Sequence, residues 1–531
     1  MTGRTAATPV ESPSPPGEPL SAGKPLSAGE PLSVGEPLSV GQQALWFLYR
    51  LAPESPAYNI TLAVRVRGGL DDAALGRAVA ALVARHPVLA AAFAEVDGVP
   101  RQFLPTPAPQ PAAGASRAGA GPDPADGSGA PDGTGPGGVP WLEIRDVPEC
   151  TDEGLLGLAR AVGAVPFRLG AGDVFRVVLL RRAADDAALV LVTHHIVSDA
   201  TSQWLLLRDL LAGYRGIAAG GPPDWAPLTA SYCDHVEAER ALLDSPRRER
   251  LERYWRDRCT GVPAGVIPVD RPRPERQTFA GATHELRLSA ELAARVRSAA
   301  TAARVTPFAF LLGVFQATLY RYGGQDDFAL GCPVATRHGR GLRDVVGYLV
   351  NTLVLRSSFA PGASFADAVA AAHRELLAGL AHVGYPFPLL DRMLGAGRGA
   401  SRAPLFRIAF TMVAADRFDP PLPLVPEGAV VGPEIPYAGL RLAVFDVPQL
   451  EGQFDLNVEL RQAGGSLTGA FRYNTDLFDA ATMERLTGHY CRLLEAATAD
   501  PTRRIDRVSL VDSAQLEQLL ALGTGGVRPG Q

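Results

Sequence analysis

Cysteine is scarce and scattered. The 531 residues hold five (Cys150, Cys233, Cys259, Cys332 and Cys491), an odd number with no CxxC pair. That excludes a complete disulfide framework and argues against a zinc site. An excess of charge of one sign is missing too. The 51 Lys and Arg stand against 56 Asp and Glu, with no basic block, so nothing resembles a nucleic-acid footprint. The N-terminus lacks the apolar core of a secretory signal. No apolar run nears the roughly 18 residues of a membrane span. These absences read as a soluble protein of a reducing, cytoplasmic compartment. Several catalytic signatures are missing as well. There is no GxxxxGK[ST] loop, and GTGGVRPG near the C-terminus lacks the lysine. GAGRG (395–399) fits a dinucleotide fingerprint only loosely and opens no clear βαβ unit. No GxSxG elbow appears.

What is present is a chain too long for one core, with enough apolar residues, 47%, to bury two. Residues 1–37 are repetitive and rich in Pro, Ser and Gly (GEPLSAGKPLSAGEPLSVGEPLSV), and read as a disordered leader. Residues 106–140 have a similar composition and read as an insertion, because strand character resumes at WLEIRDV. GQQALWFLYRLA predicts an amphipathic helix, YNITLAVRVRG a strand, and DDAALGRAVAALVARHPVLAAAF a capped helix ending at Pro87. VFRVVLLRRAADDAALVLVTHH predicts a hairpin and TSQWLLLRDLLAGYRG a helix. A linker at GIAAGGPPDWAP divides this part, 38–218, from a second, 225–520, followed by a tail at 521–531. Helices and strands mix in both parts, which predicts two α/β sandwiches facing each other.

The stretch LVTHHIVSDATSQW (191–204) raises the question of chemistry. On a strand, adjacent His194 and His195 point to opposite faces, which counts against their sharing a metal. Asp199 stands where strand gives way to helix, placed to cap the helix or to hold an arginine. A neutral histidine with a free nitrogen is a base near pH 7, and the helix start favours developing negative charge. A packed core histidine beside a helix cap fits the same spacing, and both readings stand at this point.

The stretch also resembles the HHxxxDG signature of condensation domains from nonribosomal peptide synthetases, in the chloramphenicol acetyltransferase-like superfamily. Further segments resemble that family in order: LSVGQQALWFL (38–48), RHPVLAAAF (85–93), YCDHVEAER (232–240), VGYLVNTLVLR (346–356), HVGYPFPLL (382–390) and SRAPLFRIAFTM (401–412). Together they span roughly 38–520. Departures are Ala200 for the signature's glycine, Pro87, Ala90 and Ala91 in the second segment, and Arg240 for a tryptophan in the third.

The resemblance implies an α/β fold of two chloramphenicol acetyltransferase-like sandwich subdomains in a V-shaped pseudo-dimer with a central tunnel. It implies transfer of an acyl or aminoacyl group from a phosphopantetheine thioester on a carrier protein to an amine. Alternatives are an ester-forming acyltransferase, an epimerising relative, or a non-catalytic recruitment domain of the same fold. His195 would be catalytic. His194, Asp199, Ala200 and Arg337 would support it, with Asp199 paired to Arg337. Ser198, Tyr348, Asn351 and Ser401 would line the tunnel. No metal or bound cofactor is implied. The partners are a donor carrier protein and either an acceptor carrier or a free small molecule, with the protein itself a monomer. No adenylation domain or carrier site is recognisable after residue 520, so a lone condensation domain is expected.

Overall fold

A computed structural model describes residues 35–105, 141–274, 280–339, 341–395, 404–414, 420–426, 429–447 and 454–511. The insertion 106–140, the tail 521–531, most of the leader and Ser401 lie outside the described residues. In chain order the first part runs β1 (Glu36–Pro37), α1 (Val40–Leu51), β2 (Asn59–Arg67), α2 (Asp72–Arg85), β3 (Ala92–Val96), β4 (Val99–Phe103), β5 (Leu142–Asp146), α3 (Asp152–Gly163), β6 (Phe175–Ala183), β7 (Asp186–His194) and α4 (Ala200–Ala218). The second runs α5 (Tyr232–Leu243), α6 (Arg247–Cys259), β8 (Gly281–Arg287), α7 (Ala290–Ala302), α8 (Pro307–Gly323), β9 (Asp327–Ala335), β10 (Val350–Ser358), α9 (Phe365–Ala381), α10 (Phe387–Gly395), β11 (Ile408–Ala414), β12 (Ile435–Tyr437), β13 (Leu440–Phe445), β14 (Leu456–Ala463), β15 (Ser466–Asn474) and α11 (Ala480–Ala499).

Two six-stranded sheets organise these elements. One has the order β12-β13-β2-β7-β6-β5, the other β10-β9-β11-β14-β15-β8, and β1-β4-β3 form a small third sheet. Each large sheet carries helices over its own apolar core, which is the pair of α/β sandwiches the sequence predicts. The central strand β7, DAALVLVTH, is buried at all nine positions. Burial of both its faces accounts for the apolar run AALVLV, while β2 and β6 pair with its backbone on either side.

Three boundaries differ from the sequence expectation. The described first part starts at Gly35 rather than Leu38, and Glu36 and Pro37 pair with Gln102 and Arg101 of β4. The first core does not end near residue 218. Tyr232 and Val236 of α5 are buried in it, and the change of core falls between α5 and α6. The second part also returns to the first sheet. Strand β13 pairs with β2, Leu442 opposite Val66 and Phe445 opposite Ala63. Leu342, Val345, Val346 and Leu349, between β9 and β10, are buried in the first core as well.

Candidate active site

The strand β7 ends on His194, whose N–H donates to the Val174 carbonyl at 2.9 Å. The His194 ring is sealed among Tyr49, Tyr58 and Phe167, with centroids 6.2–6.4 Å away. Its Nδ1 accepts from the Ile196 N–H at 3.1 Å, which places the proton on Nε2. Burial, with a smaller contribution from His195, pushes its pKa down to about 3.

His195 is not a strand residue, as the sequence reading supposed. It opens a single 3-10 turn, His195–Val197, so the turn rather than the pleat aims its ring. Its N–H donates to the Tyr58 carbonyl at 2.7 Å. Its Nδ1 lies 2.7 Å from the Ser198 carbonyl, which can only accept, so Nδ1 carries the proton and Nε2 the lone pair. Burial lowers its pKa, against the Ser198 hydrogen bond and the Asp199 charge. Adjacent histidines therefore hold opposite tautomers, one closed inside and one partly open.

Asp199 does both jobs that the sequence left open. Its Oδ1 caps α4 by accepting from the Ser202 N–H at 2.7 Å. Arg337, at the end of β9, grips both oxygens at 2.7 and 3.0 Å, and the Leu349 N–H donates to Oδ2 at 3.0 Å. Arg337 also donates to the Ser202 hydroxyl at 2.7 Å, which bonds both the carbonyl and the N–H of Gly347. Burial alone would raise the Asp199 pKa. The Arg337 charge and hydrogen bonds overcome it and hold the carboxyl below its ordinary range. This knot joins the histidine turn to the second part of the chain. Nearby, burial and the Arg337 charge push the His235 pKa down to about 4.

Other candidates take different places. Ala200 is the first residue of α4, exposed and without a positive φ, so its methyl group strains nothing. Ser198 is fully buried and lines no open passage, contrary to expectation; it works through its carbonyl. The Asn351 amide is engaged by the carbonyls of Val383 and Tyr385 and by the N–H groups of Thr352 and Phe387, a clamp on the 383–387 segment. Tyr348 stands beside His195, ring centroids 5.1 Å apart and nearly perpendicular. The sequence reading gave Gln42 no role. It is sealed and donates to the Ile196 carbonyl at 3.1 Å, tying α1 to the turn. Its signal was the GlnGln of LSVGQQALWFL. Likewise Arg85 and His86 of RHPVLAAAF both bond Asp209 on α4, at 2.8 and 2.9 Å, and so pin α2 to that helix. A cavity of about 540 Å³ between α3, β8 and α11 shares no lining residue with the histidine turn.

The sequence matches the Condensation domain family over residues 35–111 and 140–520. It is 33% identical over 485 residues to a linear gramicidin synthase of Brevibacillus parabrevis, covering 90% of this chain and 8% of that protein. It is also 33% identical to the phosphinothricin tripeptide synthetase PhsC of Streptomyces viridochromogenes, over 87% of this chain and 39% of that one. The chain thus spans a small part of these relatives. Among solved structures, it resembles the X-domain from teicoplanin biosynthesis with a TM-score of 0.73, 25% identity, and coverage of 91% and 99%. It resembles the first condensation domain of the calcium-dependent antibiotic synthetase with a TM-score of 0.68, 24% identity, and coverage of 91% and 100%.

Proposed function

The chain belongs to the condensation-domain family of nonribosomal peptide synthetases, and from that membership we propose that it joins a carrier-bound acyl or aminoacyl thioester to an amine, forming an amide. The observation that carries this reading is the His195 tautomer. Its Nδ1 is committed to the Ser198 carbonyl, which leaves Nε2 as an acceptor for the attacking nucleophile. An α-amine has a pKa of about 7.7–8.0, so it needs orienting more than deprotonating. The amine attacks the thioester carbonyl carbon, and Nε2 takes the proton that the new C–N bond makes acidic. The C–S bond then breaks, and the departing thiolate receives that proton. General-base help of this kind is worth roughly 10²–10⁴-fold. Tethering the donor on a phosphopantetheine arm, delivered by a carrier protein into a passage between the two subdomains, supplies effective molarity.

Asp199 sits in its knot with Arg337 and does not touch the His195 ring nitrogens; it holds the loop and exchanges no proton. Ala200, standing where the signature has glycine, occupies an unstrained helical position, so that departure lends no support to a recruitment role. A hydroxyl acceptor would use the same geometry and give an ester. The test is intact-mass analysis of a loaded donor carrier with candidate acceptors. His195→Ala should keep its melting temperature and lose about 10²–10⁴-fold in product formation. Turnover near wild type in that folded variant rejects the proposal.

A further inference from the structure

His195 and Tyr348 are partly open residues, each set in a run of sealed ones. Residues 196–199 are buried after His195, and residues 345–347 and 349 are buried around Tyr348. The two rings meet edge to face at 5.1 Å and 76°, so they border the same opening. Tyr348 is held on three sides. The Tyr232 hydroxyl donates to its carbonyl at 3.2 Å, and the next N–H, that of Leu349, donates to Asp199 at 3.0 Å. Its ring lies against Gly41 in the first turn of α1, where a methyl group would overlap it. Yet the Tyr348 hydroxyl has no hydrogen-bond partner among the described residues and is not sealed in. A fixed ring with a free hydroxyl beside the base is a preorganised donor.

We propose that the Tyr348 hydroxyl donates a hydrogen bond to the thioester carbonyl oxygen as it becomes the oxyanion of the tetrahedral intermediate. This rests on the thioester-condensation reading above. As the amine bonds to carbon, the carbonyl π pair moves to oxygen, where Tyr348 meets it. The pair returns as the thiolate leaves with the proton that His195 held. Tyr348 keeps its own proton throughout. Burial first, with the nearby Asp199 carboxylate acting the same way, keeps the phenol above the ordinary tyrosine range, so it remains a donor at working pH.

The test reads binding, so it needs no known acceptor. One probe is a trifluoromethyl ketone on a pantetheine arm, whose hydrated carbonyl imitates the tetrahedral centre. The other is the same arm with a methylene in place of the carbonyl. Calorimetry on the full chain should show Tyr348→Phe weakening the ketone at least about 10-fold and the methylene arm less than about twofold. Gly41→Ala, which displaces the ring without touching the hydroxyl, should repeat that pattern. In turnover, Tyr348→Phe should lower kcat by about 10²-fold with KM unchanged. Equal weakening of both probes, or none of the ketone, overturns the role of Tyr348. A wild-type chain that binds neither arm overturns instead the carrier-thioester reading beneath it.

Discussion

Two neighbouring histidines differ because one backbone step separates a strand end from a turn. His194 faces three aromatic rings and accepts from a backbone N–H, so charging it would break a hydrogen bond and bury a cation. Its pKa near 3 is therefore a statement about stability. Between about 6.5 and 3 the unfolded chain binds a proton that the folded chain refuses. Stability then rises with pH, is complete above about 6.5, and falls away below it. One such group contributes a slope of about 1.4 kcal/mol per pH unit. His194→Asn, whose Oδ1 can still accept from Ile196, should remove about that much slope between pH 6 and 4. Urea unfolding at several pH values checks this, and an unchanged slope would mean that His194 is not buried neutral. For His195 burial acts in the same direction, so its imidazole, the proposed base, stays neutral to a lower pH than an ordinary histidine. Single turnover of the bound complex, which sets aside the free acceptor amine's own titration near about 7.7–8.0, should show an acidic limb below pH 6.5, and a limb above it would contradict the lowered His195 pKa.

Around the histidine turn, elements are held to one another by charge as well as by apolar contact. Asp199, at the start of α4, is 1% exposed, and the Arg337 side chain, at the end of β9, is 9% exposed. Removing one strands the other in a low-dielectric site, at a typical cost of about 3–5 kcal/mol, while removing both is milder. We expect Asp199→Ala and Arg337→Ala each to destabilise by that order and the double variant to lose clearly less than their sum. A double-mutant cycle on unfolding free energy checks this, and additive losses would mean the pair carries no coupling. The elements that make this knot were largely readable. The hairpin β6–β7 follows from two β-branched runs about a polar turn, and α4 from its Leu/Trp face after an aspartate cap. The knot itself came from the family resemblance, because 138 residues separate its partners and spacing carries no such information. Ser198 was misplaced for a related reason. A short polar residue near a histidine gives no sign of whether its side chain or its carbonyl does the work. Strand β13 went unseen because LRLAVF pairs with a strand some 380 positions earlier, and no local pattern names its partner.

That return of the chain decides how the whole molecule should unfold. The first sheet uses β12 and β13, and the first core buries Leu342, Val345, Val346, Leu349, Leu440, Leu442 and Phe445, all from beyond residue 225. Without them β2 would be an open edge and the core would lack these apolar side chains, two conditions that favour association over folding. Residues 35–224 produced alone should therefore show no cooperative melting, although they hold both histidines and the strands on either side of β7. The full chain should melt in one transition, because the first sandwich is incomplete without segments carried by the second part. Leu442 is fully buried in the borrowed strand, so Leu442→Ala should cost about 2–5 kcal/mol and lower the melting of both sheets together. Hydrogen exchange separates the outcomes. Faster exchange in β2 and β7 alone, with β9 and β14 unchanged, would show that the two sandwiches are independent and that the shared strand is a tether rather than a joint core.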